Sequence, residues 1–223
     1  MPVCLVTGAN RGIGLALCRQ LADRGDQVIA ACRNRSKALD ALGVRAETGV
    51  DVGDPVSVQR LAGALEGQPL DWLINNAGVL RRDTLGALHG EAVEDLYLQF
   101  RVNSVGPLLV TQALLGNLQP GAKIGIVTSR MGSVGDNTSG SYYGYRMSKA
   151  AVNAAGKSLA MDLKDREIAV ALLHPGYVRT EMVGGGGDVE PEEAAAGLIA
   201  RLDELTIETT GGFWHANGEA LPW

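Results

Sequence analysis

Residues 3–25 read VCLVTGANRGIGLALCRQLADRG, a short apolar run followed by a glycine-containing loop and a helical pattern that Gly25 closes. A strand, a glycine loop and a helix in this order form the first unit of a doubly wound α/β sheet. Gly8, Gly12 and Gly14 let the backbone approach a pyrophosphate and present N–H groups at a helix N-terminus. Their spacing, G-x-x-x-G-x-G, differs from the G-x-G-x-x-G dinucleotide fingerprint, so an ordinary strand-to-helix turn is the alternative.

The composition is that of a globular protein of one domain. The chain has 223 residues, 46% hydrophobic and 20% charged, and its formal net charge of −5 argues against a nucleic-acid partner. We find no basic leader with an apolar core and no membrane-length apolar run, so we expect a soluble, cytoplasmic protein without membrane contact. The cysteines and histidines lack metal-ligand spacing, and we therefore assign no metal site.

Further apolar runs alternate with helical patterns along the chain. The predicted strands lie at 27–33, 44–50, 72–78, 123–129, 168–176 and 211–218. Helical patterns begin at Pro55, at Glu91, after Gly144 and at Pro191. Strands that alternate with helices indicate a parallel sheet covered on both faces, with ligands at the carboxyl ends of the strands.

The residue at the end of the second predicted strand distinguishes the two nicotinamide cofactors. NAD-binding proteins place Asp or Glu there for the ribose 2′-hydroxyl, whereas an arginine accommodates the 2′-phosphate of NADP. Here the position holds Arg33, and Arg11 in the glycine loop could contact the same phosphate from the other side. Either arginine alone would more often be a solvated surface charge. Together, and with no acid at the strand end, they predict NADP(H).

Tyr145 and Lys149 form the candidate catalytic pair. If a helix begins after Gly144, the two side chains lie on one face about a turn apart. A neighbouring ammonium favours the phenolate, so we expect the pKa of Tyr145 to lie below its usual value of about 10, which suits general acid–base chemistry. For Y-x-x-x-K alone an amphipathic surface pair is the commoner explanation, so the assignment depends on the other motifs.

A long helical pattern over 91–118 contains Gly106 and Pro107 in its middle. Pro107 has no N–H for the carbonyl of Asn103 four residues earlier, so we expect a kink and a freed carbonyl that can hold a water. The alternative is a tolerated kink in which Asn103 makes only a local backbone contact.

Polar residues follow several predicted strands. Asp51 could meet an adenine edge, although the string DVGDP also reads as a turn and a helix cap. The pair Asn75-Asn76 needs partners, and Ala77-Gly78 would let a flat cofactor pass close to the backbone. Ser129 ends the fifth strand, and His174, Pro175 and Gly176 end the sixth.

Four consecutive glycines, Gly184–Gly187, precede the helix that begins at Pro191. They indicate a mobile lid over about 181–195, with a floppy loop as the alternative. We divide the single domain, 1–223, into a cofactor half over about 1–120 and a catalytic and substrate-binding half over about 121–223.

Together these motifs resemble the short-chain dehydrogenase/reductase superfamily over essentially the whole chain. The matching residues, in the family's order, are TGANRGIG, NNAG, Asn103, Ser129, YRMSK and HPGYVRTEM. The resemblance implies a single Rossmann-like domain with a seven-stranded parallel sheet and helices on both faces. The glycine-rich segment and the ending GGFWHANGEALPW are similar to the C-factor-like and sniffer-like carbonyl reductases.

The resemblance also implies a role for each catalytic residue. Tyr145 would donate the proton, and Ser129 would hold the substrate oxygen. Lys149 would bind the nicotinamide ribose and lower the phenol pKa, Asn103 would position a water beside it, and Thr180 would contact the nicotinamide carboxamide. The expected cofactor-binding residues are Gly8, Asn10, Arg11, Gly12, Ile13, Gly14, Arg33, Asp51, Val52, Asn76, Ala77, Gly78, Tyr145, Lys149, Pro175, Gly176, Val178 and Thr180.

The position of the serine departs from the family pattern, because the family's serine usually lies nearer its tyrosine than Ser129 lies to Tyr145. We interpret DNTSGS, residues 136–141, as containing the extra residues. Ser133 is the rival. We prefer Ser129 because it ends the strand directly and is followed by R-M-G, as the family pattern expects.

These observations predict an NADPH-dependent oxidoreductase that reduces the carbonyl of a small aldehyde or ketone to an alcohol, with Tyr145 as general acid. One alternative is an NADPH-binding sensor or C-factor-like signalling protein with little turnover, against which the intact catalytic set argues. The other is an NAD-dependent alcohol dehydrogenase, which Arg33 and Arg11 disfavour. The resemblance suggests a homodimer or homotetramer.

Overall fold

The computed structural model describes every residue from Met1 to Trp223. Its strands are β1 (Val3–Thr7), β2 (Gln27–Cys32), β3 (Arg45–Thr48), β4 (Leu70–Asn75), β5 (Leu118–Val127), β6 (Ala169–His174) and β7 (Gly212–His215). Its helices are α1 (Gly12–Asp23), α2 (Lys37–Asp40), α3 (Pro55–Ala64), α4 (Glu91–Phe100), α5 (Gly106–Ala113), α6 (Tyr143–Asp162) and α7 (Pro191–Glu204). None of the helices is both long enough and apolar enough to span a bilayer.

The seven strands form one parallel sheet in the order β3-β2-β1-β4-β5-β6-β7. The chain winds outward in one direction from β1 to β3 and in the other from β4 to β7. Such a reversal leaves a crevice beyond the carboxyl ends of the central strands, where open α/β sheets bind ligands. The predicted doubly wound, seven-stranded fold is confirmed.

Each face of the sheet is covered by its own hydrophobic core, because alternate strand residues point to opposite faces. Leu5 and Leu73 contribute to the core under α3, α5 and α6. Cys4 and Ile74 contribute to the core under α1, α2 and α7. Both faces are therefore buried, which explains why these strands are continuous apolar runs in the sequence.

The helix predicted over 91–118 is interrupted near its middle as expected, although not by the predicted kind of kink. A π-helical turn at Arg101–Val105 separates α4 from α5, and in it the Gly106 N–H donates to the carbonyl of Arg101, five residues back. This wider turn is an irregularity near the predicted position, but it is not a simple proline kink. The helix also ends early, because Leu118 pairs with Leu70 as the first residue of β5.

The segment between β6 and α7 folds out from the sheet and back. Val178 pairs with Val189, and the N–H of Asp188 donates to the carbonyl of Tyr177 at 2.8 Å. These contacts close the base of the segment. Helix α7 begins at Pro191, within the segment of about 181–195 that the sequence predicts as a lid, and the lid stays a prediction.

Candidate active site

A cleft of about 490 Å³ lies at the carboxyl ends of the strands, between the glycine loop after β1 and the first turns of α6. Residues that follow β1, β2, β3, β4, β5 and β6 contribute to its walls. The predicted cofactor residues that line it are Gly8, Asn10, Arg11, Gly12, Ile13, Gly14, Arg33, Asp51, Val52, Asn76, Ala77, Gly78, Tyr145, Lys149, Pro175 and Thr180.

Two predicted cofactor residues, Gly176 and Val178, do not line the cleft. The side chain of Val178 is buried, and its backbone pairs with Val189 at the base of the segment after β6. Gly176 takes a positive φ of 94° and faces Val189 and His215. Both residues shape the turn that leaves β6, and their contact with a cofactor stays a prediction.

The glycine loop is held from behind by Asn76. The side-chain Nδ2 of Asn76 donates to the carbonyl of Thr7 at 2.9 Å, and the backbone N–H of Asn76 and of Ala77 both donate to Thr7 Oγ1. Gly8 lies at φ 67°, and a Cβ there would come within 2.8 Å of Ala77 Cα. The loop therefore needs glycine at this position for both its conformation and its packing.

The two arginines predicted to favour a 2′-phosphate have different surroundings. Arg33 follows β2, is exposed on the cleft wall, and makes no ion pair. Arg11 instead forms an ion pair with Glu181, which follows Thr180 on the other side of the cleft mouth. Arg33 is thus the free cation of this region, whereas the charge of Arg11 is already partnered.

Asp51 forms part of the turn predicted for DVGDP, and its contact with an adenine edge stays a prediction. It lines the cleft, while its Oδ1 accepts the N–H of Gly53 at 2.9 Å and its own N–H donates to Ser57 Oγ. The helix cap is a different residue, Asp54, whose carboxylate accepts the N–H groups of Val56 and Ser57 at the start of α3.

Helix α6 brings Tyr145 and Lys149 onto one face, as the spacing predicts. The Lys149 Nζ lies 5.6 Å from the centroid of the Tyr145 ring and donates to the carbonyl of Val127 at 2.9 Å. Both side chains line the cleft. The ammonium is therefore anchored to the end of β5 while it lies beside the phenol.

The expected lowering of the tyrosine pKa is wrong for this structure. Burial raises the pKa of Tyr145 to about 12, and the nearby Ser129 hydroxyl only partly opposes the rise. Burial also lowers the pKa of Lys149 to about 8. Desolvation disfavours both charged forms, and here it outweighs the attraction between ammonium and phenolate on which the prediction rested.

Ser129 and its rival Ser133 occupy different places. Ser129 follows β5, caps the turn at 130–132 by accepting the N–H of Met131 at 3.1 Å, and lies near enough to Tyr145 to lower the pKa of its phenol, although it does not line the cleft. The hydroxyl of Ser133 instead accepts the N–H of Asp136. The turn itself lies tightly on α6, because a Cβ at Gly132 would come within 2.7 Å of the backbone of Lys149.

Asn103 lies just behind the cleft wall, in the π-helical turn. Its Oδ1 accepts the N–H of Val79, and its Nδ2 donates to the carbonyl of Val79 and to Ser148 Oγ. A Cβ at Gly78 would lie 3.2 Å from Asn103 Oδ1 and 3.8 Å from Lys149 Nζ. The side-chain amide is thus occupied by protein partners, and it ties the loop after β4 to α6.

The sequence reasoning missed several residues that the fold brings to this site. Some flank predicted positions and could have been found by adjacency, whereas Arg81, Leu98 and Asp83 lie outside every motif. Asp83 touches the N-terminus of α6. The unpredicted residues that line the cleft are Cys32, Asn34, Val50, Val79, Arg81, Leu98, Val102, Val127, Thr128, Glu181 and Met182.

His174, at the end of β6, is a neutral imidazole near the site. Its ring lies edge-on to that of His215, with 4.9 Å between the ring centroids, and its Nδ1 is buried without a partner. Burial lowers its pKa to about 3, with further contributions from His215, Arg130 and Lys149. Protonation of His174 is therefore opposed by the folded protein.

We expect acid to destabilise the fold partly through His174. Between about pH 6.5, the ordinary imidazole pKa, and the lowered pKa, only the unfolded chain binds the proton, so stability falls by about 1.4 kcal/mol per pH unit. The free energy of unfolding should fall by about 2 kcal/mol less between pH 7 and pH 5 in His174→Gln than in the wild type, as measured by urea unfolding. His89→Gln, at an exposed position, is the control, and an unchanged pH slope in His174→Gln would contradict the assignment.

Sequence comparison with other proteins matches most of the chain. The family model described as short chain dehydrogenase matches residues 2–189. The chain is 45% identical over 229 residues to 1-hydroxy-2-glutathionyl-2-methyl-3-butene dehydrogenase of Rhodococcus sp. strain AD45, with all of both chains covered. It is also 41% identical over 157 residues to C-signal of Myxococcus xanthus, which covers 70% of this chain and 93% of that protein.

Solved structures resemble the whole chain. The carbonyl reductase Sniffer of D. melanogaster superposes with a TM-score of 0.91 at 31% identity, covering 100% of both chains. The NADPH-bound carbonyl reductase from chicken fatty liver superposes with a TM-score of 0.89 at 30% identity, covering 100% of this chain and 98% of the other. With the matched family model, these likenesses show that the chain belongs to the short-chain dehydrogenase family of oxidoreductases.

Proposed function

We propose that this protein binds NADP(H) and reduces the carbonyl group of a small aldehyde or ketone, with Tyr145 as the proton donor. The observation that carries the proposal is that a possible proton donor and a cation lie together in the cleft that the glycine loop lines. The phenol of Tyr145 lies beside the ammonium of Lys149 and near Ser129, and a glycine loop also lines the cleft that Tyr145 and Lys149 line. A proton donor, a second hydroxyl and a cation beside a cleft lined by a glycine loop suit carbonyl reduction.

The residues present fit a phosphorylated dinucleotide. The glycine loop at the N-terminus of α1 offers backbone N–H groups for the pyrophosphate, and Arg33 offers an unpaired guanidinium for the 2′-phosphate. Lys149 would hold the nicotinamide ribose, and Thr180 the carboxamide. The chicken carbonyl reductase, which has the same fold, was crystallised with NADPH.

The cofactor supplies the hydride, and the protein supplies the donors that meet the substrate oxygen. Because burial raises its pKa, Tyr145 holds its proton at neutral pH until negative charge develops on that oxygen. Ser129 donates a second hydrogen bond to the same oxygen. Lys149 is predominantly charged at neutral pH and stabilises the phenolate that remains after the proton is transferred.

Arg33→Ala tests the cofactor assignment. We expect this variant to bind NADPH roughly 10- to 100-fold more weakly, because charge-assisted hydrogen bonds contribute about 1.5–3 kcal/mol each. Binding of NADH should change less than about twofold, since NADH lacks the phosphate that Arg33 would meet. The measurement is a fluorescence titration of both cofactors, followed by oxidation of the preferred one with aldehydes and ketones.

Arg60→Ala is the matched control, because Arg60 is an exposed arginine on α3 that does not line the cleft. It should leave both affinities unchanged. Equal affinity of the wild type for NADH and NADPH, or no loss in Arg33→Ala, would refute the assignment of NADP(H). Tight NADPH binding without turnover would favour a sensor or a signalling protein, and one relative of this chain is named C-signal.

A second candidate is the reverse reaction, oxidation of an alcohol. The Rhodococcus relative is named as the dehydrogenase of a hydroxy compound that carries a glutathionyl group, and it matches this chain over its full length. Assays with primary and secondary alcohols and NADP⁺, run beside the carbonyl panel, distinguish the two directions.

A homodimer or homotetramer stays part of the proposal, to be tested by light scattering.

A further inference from the structure

Asp83 caps the helix that carries the catalytic pair. It lies in the loop between β4 and α4, far in sequence from α6. Its Oδ1 accepts the N–H of Tyr143 at 2.5 Å, its Oδ2 accepts the N–H of Gly144 at 3.0 Å, and its main-chain carbonyl accepts the N–H of Tyr142 at 3.2 Å. The first N–H groups of a helix have no partner within the helix, so Asp83 satisfies several of them at once.

The carboxylate of Asp83 is buried, and the helix turn that it caps is closely packed. Asp83 is only 6% exposed and forms no ion pair, so backbone N–H groups and the helix dipole stabilise its charge. A Cβ on Gly144 would lie 2.5 Å from Gln99 Nε2, 2.6 Å from Leu96 Cδ2 and 3.2 Å from Asp83 Oδ2. The first turn of α6 is therefore packed against α4 and Asp83 with no free space.

The same loop contacts α6 at a second point. Asn103 binds the backbone of Val79 and donates to Ser148 Oγ, which in turn donates to the carbonyl of Tyr145. Asp83 and Asn103 thus hold the loop after β4 against α6, one before Tyr145 and one after it. Only Asn103 belongs to the catalytic set predicted from the sequence.

We propose that Asp83 is a positioning residue that fixes the first turn of α6 and thereby the place of the Tyr145 hydroxyl relative to Ser129. This inference rests on the proposed function. Asp83 acts only through the helix backbone, whose phenol-bearing residue follows two positions after Tyr143. Loss of the cap would let the first turn move, and a displacement of about 1 Å at a reacting group can lower a rate by about 100-fold.

Asp83→Asn and Asp83→Ala test the proposal. Asparagine keeps the size but replaces one accepting oxygen by an N–H₂ group, so one of the two N–H bonds is lost. We expect a decrease in kcat of about 10-fold for asparagine and up to about 100-fold for alanine. The KM of the carbonyl and the Kd of NADPH should stay within about twofold of wild type, because the walls that bind them are unchanged.

Asp54→Ala is the matched control, because Asp54 caps α3 in the same way, with its two oxygens on Val56 and Ser57. Helix α3 carries no predicted catalytic residue. The control should lose stability like Asp83→Ala but keep the kcat of the wild type. Equal kcat in Asp83→Ala and wild type, or an equal loss in both alanine variants, would overturn the proposal.

Hydrogen exchange of the α6 amides gives a readout that does not depend on turnover. In both Asp83 variants, amides in the first turn of α6 should exchange at least tenfold faster, while those of β1 and β4 are unchanged. Unchanged exchange overturns the positioning role even if the enzyme is active. Faster exchange in a protein that reduces no carbonyl compound would instead refute the proposed function and leave the capping role supported.

Discussion

Tyr145→Phe is expected to lower kcat for carbonyl reduction by about 10²- to 10⁴-fold, the usual contribution of a positioned general acid. The variant keeps the ring but removes the only proton that this side chain can give. The Kd of NADPH should change little, because the ring packs as before and Lys149 keeps its bond to the carbonyl of Val127. Steady-state kinetics and a fluorescence titration on the same preparation measure the two quantities.

Tyr143→Phe is the control for this experiment. Tyr143 lies on the same helical turn but has no lysine four residues on and does not line the cleft. Its hydroxyl should be dispensable, so its kcat should match that of the wild type. A Tyr145→Phe variant that retained the wild-type rate would show that the proton comes from another group.

Gly14→Ala is expected to abolish NADPH binding at concentrations that saturate the wild type and to lower the free energy of unfolding by about 1–3 kcal/mol, as overpacking does. A Cβ at this position would lie 2.2 Å from the carbonyl oxygen of Gly8 and 2.6 Å from Asn76 Nδ2. The clash is with backbone, so the glycine loop itself must move. Fluorescence titration and urea unfolding measure the two effects.

The sign of the change in the free energy of unfolding of Gly14→Ala distinguishes a steric clash from helix propensity. Gly14 lies inside α1, and alanine in a helix interior is ordinarily more favourable than glycine by about 1 kcal/mol. Gly63, in α3, has open space around its Cα and is the matched control. Gly63→Ala should be stabilising and bind NADPH normally. A stabilised Gly14→Ala variant with normal binding would contradict the packing described here.

Much of the fold could be predicted because this sheet is buried on both faces. Its strands are short apolar runs, and the glycines and prolines between them mark where elements begin and end. The start of α6 near Gly144 followed from the same signals, and with it the pairing of Tyr145 and Lys149 on one face. Such contacts span a few residues and are visible in a local pattern.

The contacts that could not be predicted join distant parts of the chain. Asp83 contacts Tyr143 in α6, sixty residues later in the chain, and Glu181 forms an ion pair with Arg11. No local sequence pattern indicates either contact. The prediction that the pKa of Tyr145 is lowered was wrong for a related reason. The spacing to Lys149 was visible in the sequence, but the burial that dominates the pKa depends on loops from other strands.

The most direct test of the central claim follows the hydride. Wild type and Tyr145→Phe would be given NADPH that carries deuterium at the transferring carbon, together with a panel of aldehydes and ketones, and the products analysed by mass spectrometry. We predict alcohols that carry one deuterium on the former carbonyl carbon with the wild type and almost none with Tyr145→Phe. Tight binding of the labelled cofactor by the wild type, with no labelled alcohol from any carbonyl compound, would contradict a carbonyl reductase.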